Sequence, residues 1–361
     1  MTMTGLERMT NILKRQPVDR IGLYEHFWND TQKKWAADGY IKINEDPGTH
    51  FNYDMGTCWA FNYVADLDYK NEIIEETADT ILQRDGNGAL LRRHKAHDTT
   101  PEHIDFAVKT RAEWEHLIKP KIAGIADPRR INFDGYRQAK EHARTHKRFF
   151  CWSGINVFEQ IHPICGHENM LMGMAEDPDW IKDMVATLST LNIQLQNILF
   201  EKEGYPDGIW YYEDMGFLGR PFMSLDMYRE LIQPGHIKTI RYAHDLKLPV
   251  IMHSCGFVEP LLPAMIEAGI DALQVIEVKA GMDPLRIFKN FGDKISLIGG
   301  IDIRVLYTND RQKIDAELHA KIPTLKKGHG YVLHSDHSIP ATVDYPTYRY
   351  FVERGMELGK C

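Results

Sequence analysis

The segment Pro249-Val-Ile-Met-His253-Ser-Cys255-Gly256 sets an imidazole and a thiol two residues apart at the end of an apolar run. In an extended strand, residues i and i+2 project from one face, so His253 and Cys255 point the same way. Imidazole nitrogen and thiolate sulfur are both zinc ligands, at about 2.0–2.1 and 2.3 Å respectively. A lone H-x-C pair also suits a buried structural role, so further donors are needed. The run Gln274-Val-Ile-Glu277 closes on a carboxylate. A carboxylate there requires a cation, a metal or an ion-pair partner such as Lys279 or Arg304, because burying a bare charge is costly. A third run ends in His334-Ser-Asp336-His337. There His334 and Asp336 share one face and Ser335 and His337 the other, which leaves His337 able to complete a set with His253, Cys255 and Glu277.

Proton-transfer candidates close other runs. Glu213 and Asp214 follow Trp210-Tyr-Tyr, and Asp302 follows Gly299-Gly-Ile. Glu213 or Asp302 is expected to assist protonation, with Asp214 orienting a histidine; strand-end hydrogen bonding is the plainer alternative. Aromatic residues crowd the same regions: Phe27, Trp28, Trp59, Phe61, Trp152, Phe158, Trp210, Tyr211 and Tyr212. A flat apolar ligand would suit such a wall, and His26, Trp28, Trp152, His162 and Tyr212 are the expected pocket residues. The stretch His162-Pro-Ile-Cys165-Gly-His167 reads as a loop ahead of a helix, lining the pocket rather than binding metal.

These residues need a scaffold that brings many run ends together. Strands are expected at Arg20–His26, Arg148–Ile155, Gly208–Met215, Pro249–Gly256, Asp271–Val278, Ile295–Asp302 and Tyr331–Ser338, with an eighth within Phe51–Ala65. Helices are expected at Pro178–Gly204, Ser224–Leu246, Val258–Gly269, Asp283–Phe291, Asp310–Lys326 and Tyr345–Leu358, several opening on caps such as Ser224 and Asp283. Strand–helix alternation implies a parallel sheet. Eight such strands make an α/β fold of the (β/α)8 TIM-barrel type, whose chemistry sits at the C-terminal strand ends. Asn71–Lys95 differs: two β-rich runs around Asp85-Gly-Asn-Gly88 read as an antiparallel ribbon. We take it as an N-terminal insertion, about 68–110, on a single domain spanning 1–361.

Composition excludes several classes. The 361 residues carry a net charge of −8, 43% hydrophobic and 26% charged residues. Such a chain buries a core rather than staying disordered, and it lacks the positive field that nucleic acid requires. Mean hydropathy is −0.39, and no run approaches the roughly 18 apolar residues of a membrane span. Five dispersed cysteines do not form a disulfide framework, and the N-terminus has no signal-peptide pattern, so a cytoplasmic protein is expected.

From about Gly208 onward the sequence resembles the uroporphyrinogen decarboxylase superfamily. The likeness is carried by Trp210-Tyr-Tyr-Glu-Asp-Met215, His253-Ser-Cys-Gly256, Gly269-Ile-Asp-Ala-Leu273, Phe291-Gly-Asp-Lys294, Gly299-Gly-Ile-Asp302 and Leu333–Pro340. Arg15-Gln-Pro-Val-Asp-Arg20 and Ser153-Gly-Ile-Asn-Val-Phe158 extend it more weakly. The decarboxylases carry an N-terminal Arg-Gln-Ala-Gly-Arg clamp for substrate carboxylates; Gly22-Leu-Tyr-Glu-His-Phe-Trp28 stands here instead. The resemblance is therefore closer to the cobamide-dependent methyltransferase branch, whose zinc is held by an H-x-C pair and a later cysteine. His253 and Cys255 match the pair, while His337 stands in place of that cysteine. Glu277 falls where the related cobalamin-independent methionine synthases place a glutamate.

The resemblance implies Zn2+ held by His253, Cys255, Glu277 and His337, with Glu277 displaced by substrate. Such a centre would be formally neutral and a strong Lewis acid. It further implies methyl transfer between a small substrate, such as a methoxylated aromatic, and a corrinoid protein. The chain has no Asp-x-His-x-x-Gly segment, so the cobamide is expected on that separate protein. The alternatives are a metal-independent decarboxylase or lyase, for which Arg220 and Arg304 are the rim arginines, and a non-enzymatic subunit that binds a corrinoid protein. A homodimer is compatible with either enzyme.

Overall fold

The computed structural model describes residues 2–96 and 100–361. Eight parallel strands run in chain order: β1 Gly22–Leu23, β2 Met55–Trp59, β3 Phe149–Ile155, β4 Gly208–Tyr212, β5 Val250–Ser254, β6 Ala272–Val275, β7 Ser296–Gly299 and β8 Tyr331–Leu333. From β2 to β8 each strand pairs with the next in sequence, and β8 returns to β1. The seam between β1 and β2 is closed by the Asp54 N–H, which donates to the Leu23 carbonyl at 2.9 Å. The Leu23 N–H donates in turn to the Asp54 carboxylate at 2.8 Å. The result is a (β/α)8 barrel, with the eighth strand inside the expected Phe51–Ala65.

The helices packed outside include Asn29–Ala37, Phe133–Thr145, Val157–Glu176, Pro178–Glu203, Gln233–Asp245, Leu262–Ala268, Pro284–Phe291, Arg311–Leu325 and Tyr345–Leu358. They cover strands that are apolar on both faces, such as Val250-Ile251-Met252, all 0–1% exposed. Ser224 and Asp283 cap as expected: Ser224 accepts from the Met227 N–H, and Asp283 from those of Leu285 and Arg286. The expected Ser224–Leu246 helix widens over Tyr228–Ile232 before resuming at Gln233. Pro234, which has no N–H to give, falls at that change of register. Among the described residues, no helix is long and apolar enough to cross a membrane.

Two expectations need correction. The strands end earlier than the apolar runs imply: β6 stops at Val275 rather than Val278, and β8 at Leu333 rather than Ser338. Beyond those ends the chain stays largely buried, but its polar groups take partners outside the ladder: the Asp336 carboxylate accepts from the Val278 and Ile303 N–H groups at 2.8 and 2.7 Å. The stretch containing His162 is helical, not a loop. It lies within Val157–Glu176, which breaks at Gly166, φ 78°. A side chain at Gly166 would also strike the Phe106 ring at 2.4 Å.

The insertion forms a four-stranded antiparallel sheet of Glu72–Glu76, Thr80–Arg84, Leu90–His94 and Glu102–Asp105. His97, Asp98 and Thr99, within the expected insertion, lie outside the described residues.

Candidate metal centre

The parallel register sets Tyr212 of β4 beside His253 of β5. The Glu213 N–H continues that ladder to the His253 carbonyl at 2.9 Å. Two residues further along, Asp214 and Cys255 leave the strands side by side. The Cys255 N–H donates to Asp214 Oδ1 at 2.9 Å. Cys255 Sγ lies 3.4 Å from His253 Nε2, and Asp214 Oδ1 lies 3.1 Å from the same nitrogen. Among the described residues these three side chains form the single group whose donor atoms all lie close enough to hold one metal ion.

The donor set fits zinc. Tetrahedral ligands at about 2.0–2.3 Å from a common ion stand roughly 3.3–3.8 Å apart, near the 3.4 and 3.1 Å that separate Cys255 Sγ and Asp214 Oδ1 from His253 Nε2. Nitrogen, sulfur and carboxylate oxygen are its usual ligand atoms. Without a cation the three interact with one another. Burial disfavours a charged His253, but Cys255 and Asp214 outweigh it and raise its pKa well above the ordinary value. At Asp214 the recess opposes ionisation, while the His253 ring and the Cys255 N–H hold the carboxyl below its usual range. Burial pushes the Cys255 thiol up. A metal would displace the protons from nitrogen and sulfur.

Glu277 and His337 stand outside this triad. The backbone turns at Ile276, φ 63°, a left-handed conformation that β-branched residues seldom adopt. That turn aims Glu277 back at the neighbouring loop. Its Oε2 accepts from the Gly256 N–H at 2.6 Å, and Oε1 lies 3.2 Å from Lys279 Nζ. This is the ion-pair alternative open from sequence. His337 sits 6.3 Å, ring to ring, from Trp28. Burial and the charge of Lys279 lower its pKa.

The two proton-transfer candidates are occupied elsewhere. Glu213 is fully buried. Its oxygens accept from His236 Nε2 at 2.6 Å and from the N–H groups of Phe158 and Glu159 at 2.9 and 2.6 Å. It anchors the first turn of the helix Val157–Glu176 and does not reach the mouth. Asp302 caps the helix Ile303–Tyr307 and pairs with Arg304 at 2.6 Å. Burial opposes ionisation there, but Arg304 prevails and lowers the pKa, so Asp302 is a poor proton donor.

Of the expected pocket residues, Tyr212 lines the triad, its ring 4.6 Å from that of His253 and 4.7 Å from that of Trp59. Trp59 is half exposed, so these three rings form an aromatic wall at the mouth. Trp28 stands beside His337. Trp152 is wholly buried against Phe61 and Tyr211 and belongs to the core. His162 binds Glu159 Oε1 at 2.7 Å and stacks on His167 at 4.3 Å. His26 lies within the barrel. Its Nε2 accepts from the Tyr212 hydroxyl at 3.1 Å, and Nδ1 lies 3.1 Å from His334 Nε2. Asp214, read from sequence as a carboxylate orienting a histidine, is the third member of this candidate group. Its signal was the pairing of two neighbouring strand ends, which periodicity within one strand cannot reveal.

Comparison with known proteins agrees with this architecture. The family model for uroporphyrinogen decarboxylase (URO-D) matches residues 155–357, more than half of the chain. No curated protein matches. A solved methyltransferase from Methanosarcina mazei superposes with a TM-score of 0.69 over 98% of this chain and 99% of its own, at 16% identity. That is a likeness of fold. A Xaa-Pro dipeptidase with bound methionine aligns over 63% of this chain and 59% of its own, at 12% identity and a TM-score of 0.32, which carries no argument. The matched segment runs from the end of β3 through the last helix and contains the whole triad, and the chain belongs to the uroporphyrinogen decarboxylase family.

Proposed function

We propose that this protein is a zinc-dependent methyltransferase that moves a methyl group between a small, flat substrate and a corrinoid protein. The reading is carried by one observation: His253 Nε2, Cys255 Sγ and an Asp214 oxygen converge at the C-terminal mouth of the barrel within 4.8 Å of one another, the sulfur and the oxygen lying 3.4 and 3.1 Å from the histidine nitrogen. Three protein ligands leave one position for substrate, the arrangement of a catalytic rather than a structural zinc site. Bound there, zinc would act as a Lewis acid on a methyl-bearing heteroatom and so ease its departure. The fold of a methanogen methyltransferase is consistent with that chemistry.

The protein's own groups have defined tasks in this reading. His253, Cys255 and Asp214 bind the ion. The rings of Trp59 and Tyr212 hold a planar substrate against it. Lys279, paired with Glu277 at the rim, offers a cation near the leaving group. The corrinoid arrives on a separate protein at the open mouth.

Metal analysis of protein purified without added zinc tests the claim. About one zinc per chain is expected, falling sharply in Cys255→Ala, together with methylation of a Co(I) corrinoid protein by a methoxylated aromatic. A metal-free wild-type protein would sink the zinc reading. The metal-independent decarboxylase reading needs a cationic clamp, and nothing favours one: Arg304 is neutralised by Asp302, and Arg220 packs over the Phe217 ring.

A further inference from the structure

A hydrogen-bond chain runs from the triad into the barrel, and its polarity can be deduced group by group. It begins at the Ser335 backbone carbonyl, which can only accept. His334 Nδ1 contacts that carbonyl and therefore carries the proton. The Glu25 carboxyl is a second neighbour of the same nitrogen, at 3.3 Å. His334 is almost wholly buried, and burial holds its pKa down to about 3. The ring is thus neutral, and its Nε2 must be an acceptor. Two groups face that lone pair. His26 Nδ1 lies at 3.1 Å and Gln274 Nε2 at 3.3 Å.

The direction then propagates both ways. At Gln274, only the nitrogen end of the carboxamide can satisfy His334. Its oxygen is thereby turned toward His253 Nδ1, which it contacts. That oxygen can only accept, so His253 carries a proton on Nδ1 and presents Nε2 to Cys255 and Asp214. At His26, the proton on Nδ1 leaves Nε2 to accept from the Tyr212 hydroxyl. Gln274 is itself 1% exposed, so water does not compete for either end of its amide. The contacts of His334 with Gln274 and with the Ser335 carbonyl are buried and the other links are part-buried, and the wrong amide orientation would oppose acceptor to acceptor at one end and donor to donor at the other. Leaving such buried polar groups unpaired is costly, which holds the amide in one orientation.

We infer that Gln274 is the positioning residue of the metal centre: locked end for end by His334, its carboxamide holds His253 with Nε2 free for the ion. The inference rests on the zinc reading above. It concerns tautomer and ring orientation, which set the affinity of a ligating histidine; loss of such a partner typically costs 10–100-fold in metal affinity.

The test is zinc affinity of the full chain, measured by competition with a chromophoric chelator. Gln274→Leu should bind zinc about 10–100-fold more weakly. Gln274→Glu, as a protonated acid, can still accept from His253 and donate to His334, and should recover most of the loss. His334→Phe frees the amide to rotate and should weaken binding to a lesser degree. Recovery by the glutamate separates positioning from mere packing, because the two variants fill the site similarly. If Gln274→Leu does not fold, the comparison of His334→Phe with wild type carries the test. Equal affinity of wild type with Gln274→Leu, or with His334→Phe in that case, overturns the inference alone. A wild-type chain that binds no zinc overturns the metal reading and this inference with it.

Discussion

At the scale of residues, the same side-chain type has opposite fates according to what lies within reach. Asp214 and Glu213 are adjacent, yet one faces the mouth and the other is sealed beneath it. Alternation along an extended chain sends them to opposite sides, and the helix Val157–Glu176 arrives on the Glu213 side with two N–H groups to satisfy. Replacing Glu213 by Gln should therefore destabilise the fold by about 3 kcal/mol, since the buried His236 and a backbone donor lose their acceptor. Urea unfolding measures this, and a variant as stable as wild type would return Glu213 to the list of groups acting on substrate. For Cys255→Ala the opposite result is expected: stability of the metal-free protein changes little, and zinc binding is lost. His253 and Cys255 were legible from their spacing alone. Glu277 was not, because the left-handed turn at Ile276 has no mark in residue type.

Among the elements, the loops that follow the strands do the assembling. The β4 and β5 loops touch at Gly256, φ 80°, where a Cβ would fall 2.0 Å from the Gly216 carbonyl carbon. Both backbone conformation and space demand glycine. Gly256→Ala should cost at least about 3 kcal/mol or displace the loop, and the zinc site with it, because Cys255 precedes it and its N–H holds Glu277. Differential scanning calorimetry with and without zinc measures both effects; an unchanged melting temperature and unchanged zinc stabilisation would refute the close approach. Helix positions were readable within a residue or two where a cap or proline marked the start, as at Asp283 and Pro178. Strand ends were not, since an apolar run does not say where the sheet's neighbours stop pairing.

For the molecule as a whole, the vulnerable point is the closure of the barrel between its first and second strands. Two arginines from the N-terminal region hold it. Arg8, on the helix Gly5–Leu13, pairs with Asp19 at 2.7 Å and with Asp54 at 2.5 Å, and Arg20 pairs with Asp54 at 2.7 Å. Arg8 is nearly inaccessible, so Arg8→Met should cost about 2–3 kcal/mol, because Asp19 loses its partner and the buried Asp54 keeps only Arg20. The pH dependence has a definite sign. Partial burial opposes the charge on Asp19, but the Arg8 guanidinium and the Met3 N–H outweigh it and hold the carboxyl down to about 2. A carboxylate held below its unfolded value of about 3.9 contributes stability above that value. The contribution fades as the pH falls toward 2. Denaturant midpoints between pH 5 and pH 2 should fall less steeply for Asp19→Asn than for wild type; parallel curves would rule out this linkage.

Periodicity, caps and residue type were sufficient for the class of fold, seven of its strands, the ribbon insertion and the gathering of ionisable residues at strand ends. Those features depend on local patterns that any window of the chain displays. The membership of the candidate metal group depended on tertiary structure. Asp214 joins His253 and Cys255 through the register between two strands 41 residues apart at their contact, and Glu277 and His337 stand aside because a backbone turn and a loop direct them to other partners. The polarity of the chain behind His253 is equally non-local, since a carbonyl on the last strand's loop decides which way an amide on the sixth strand must face.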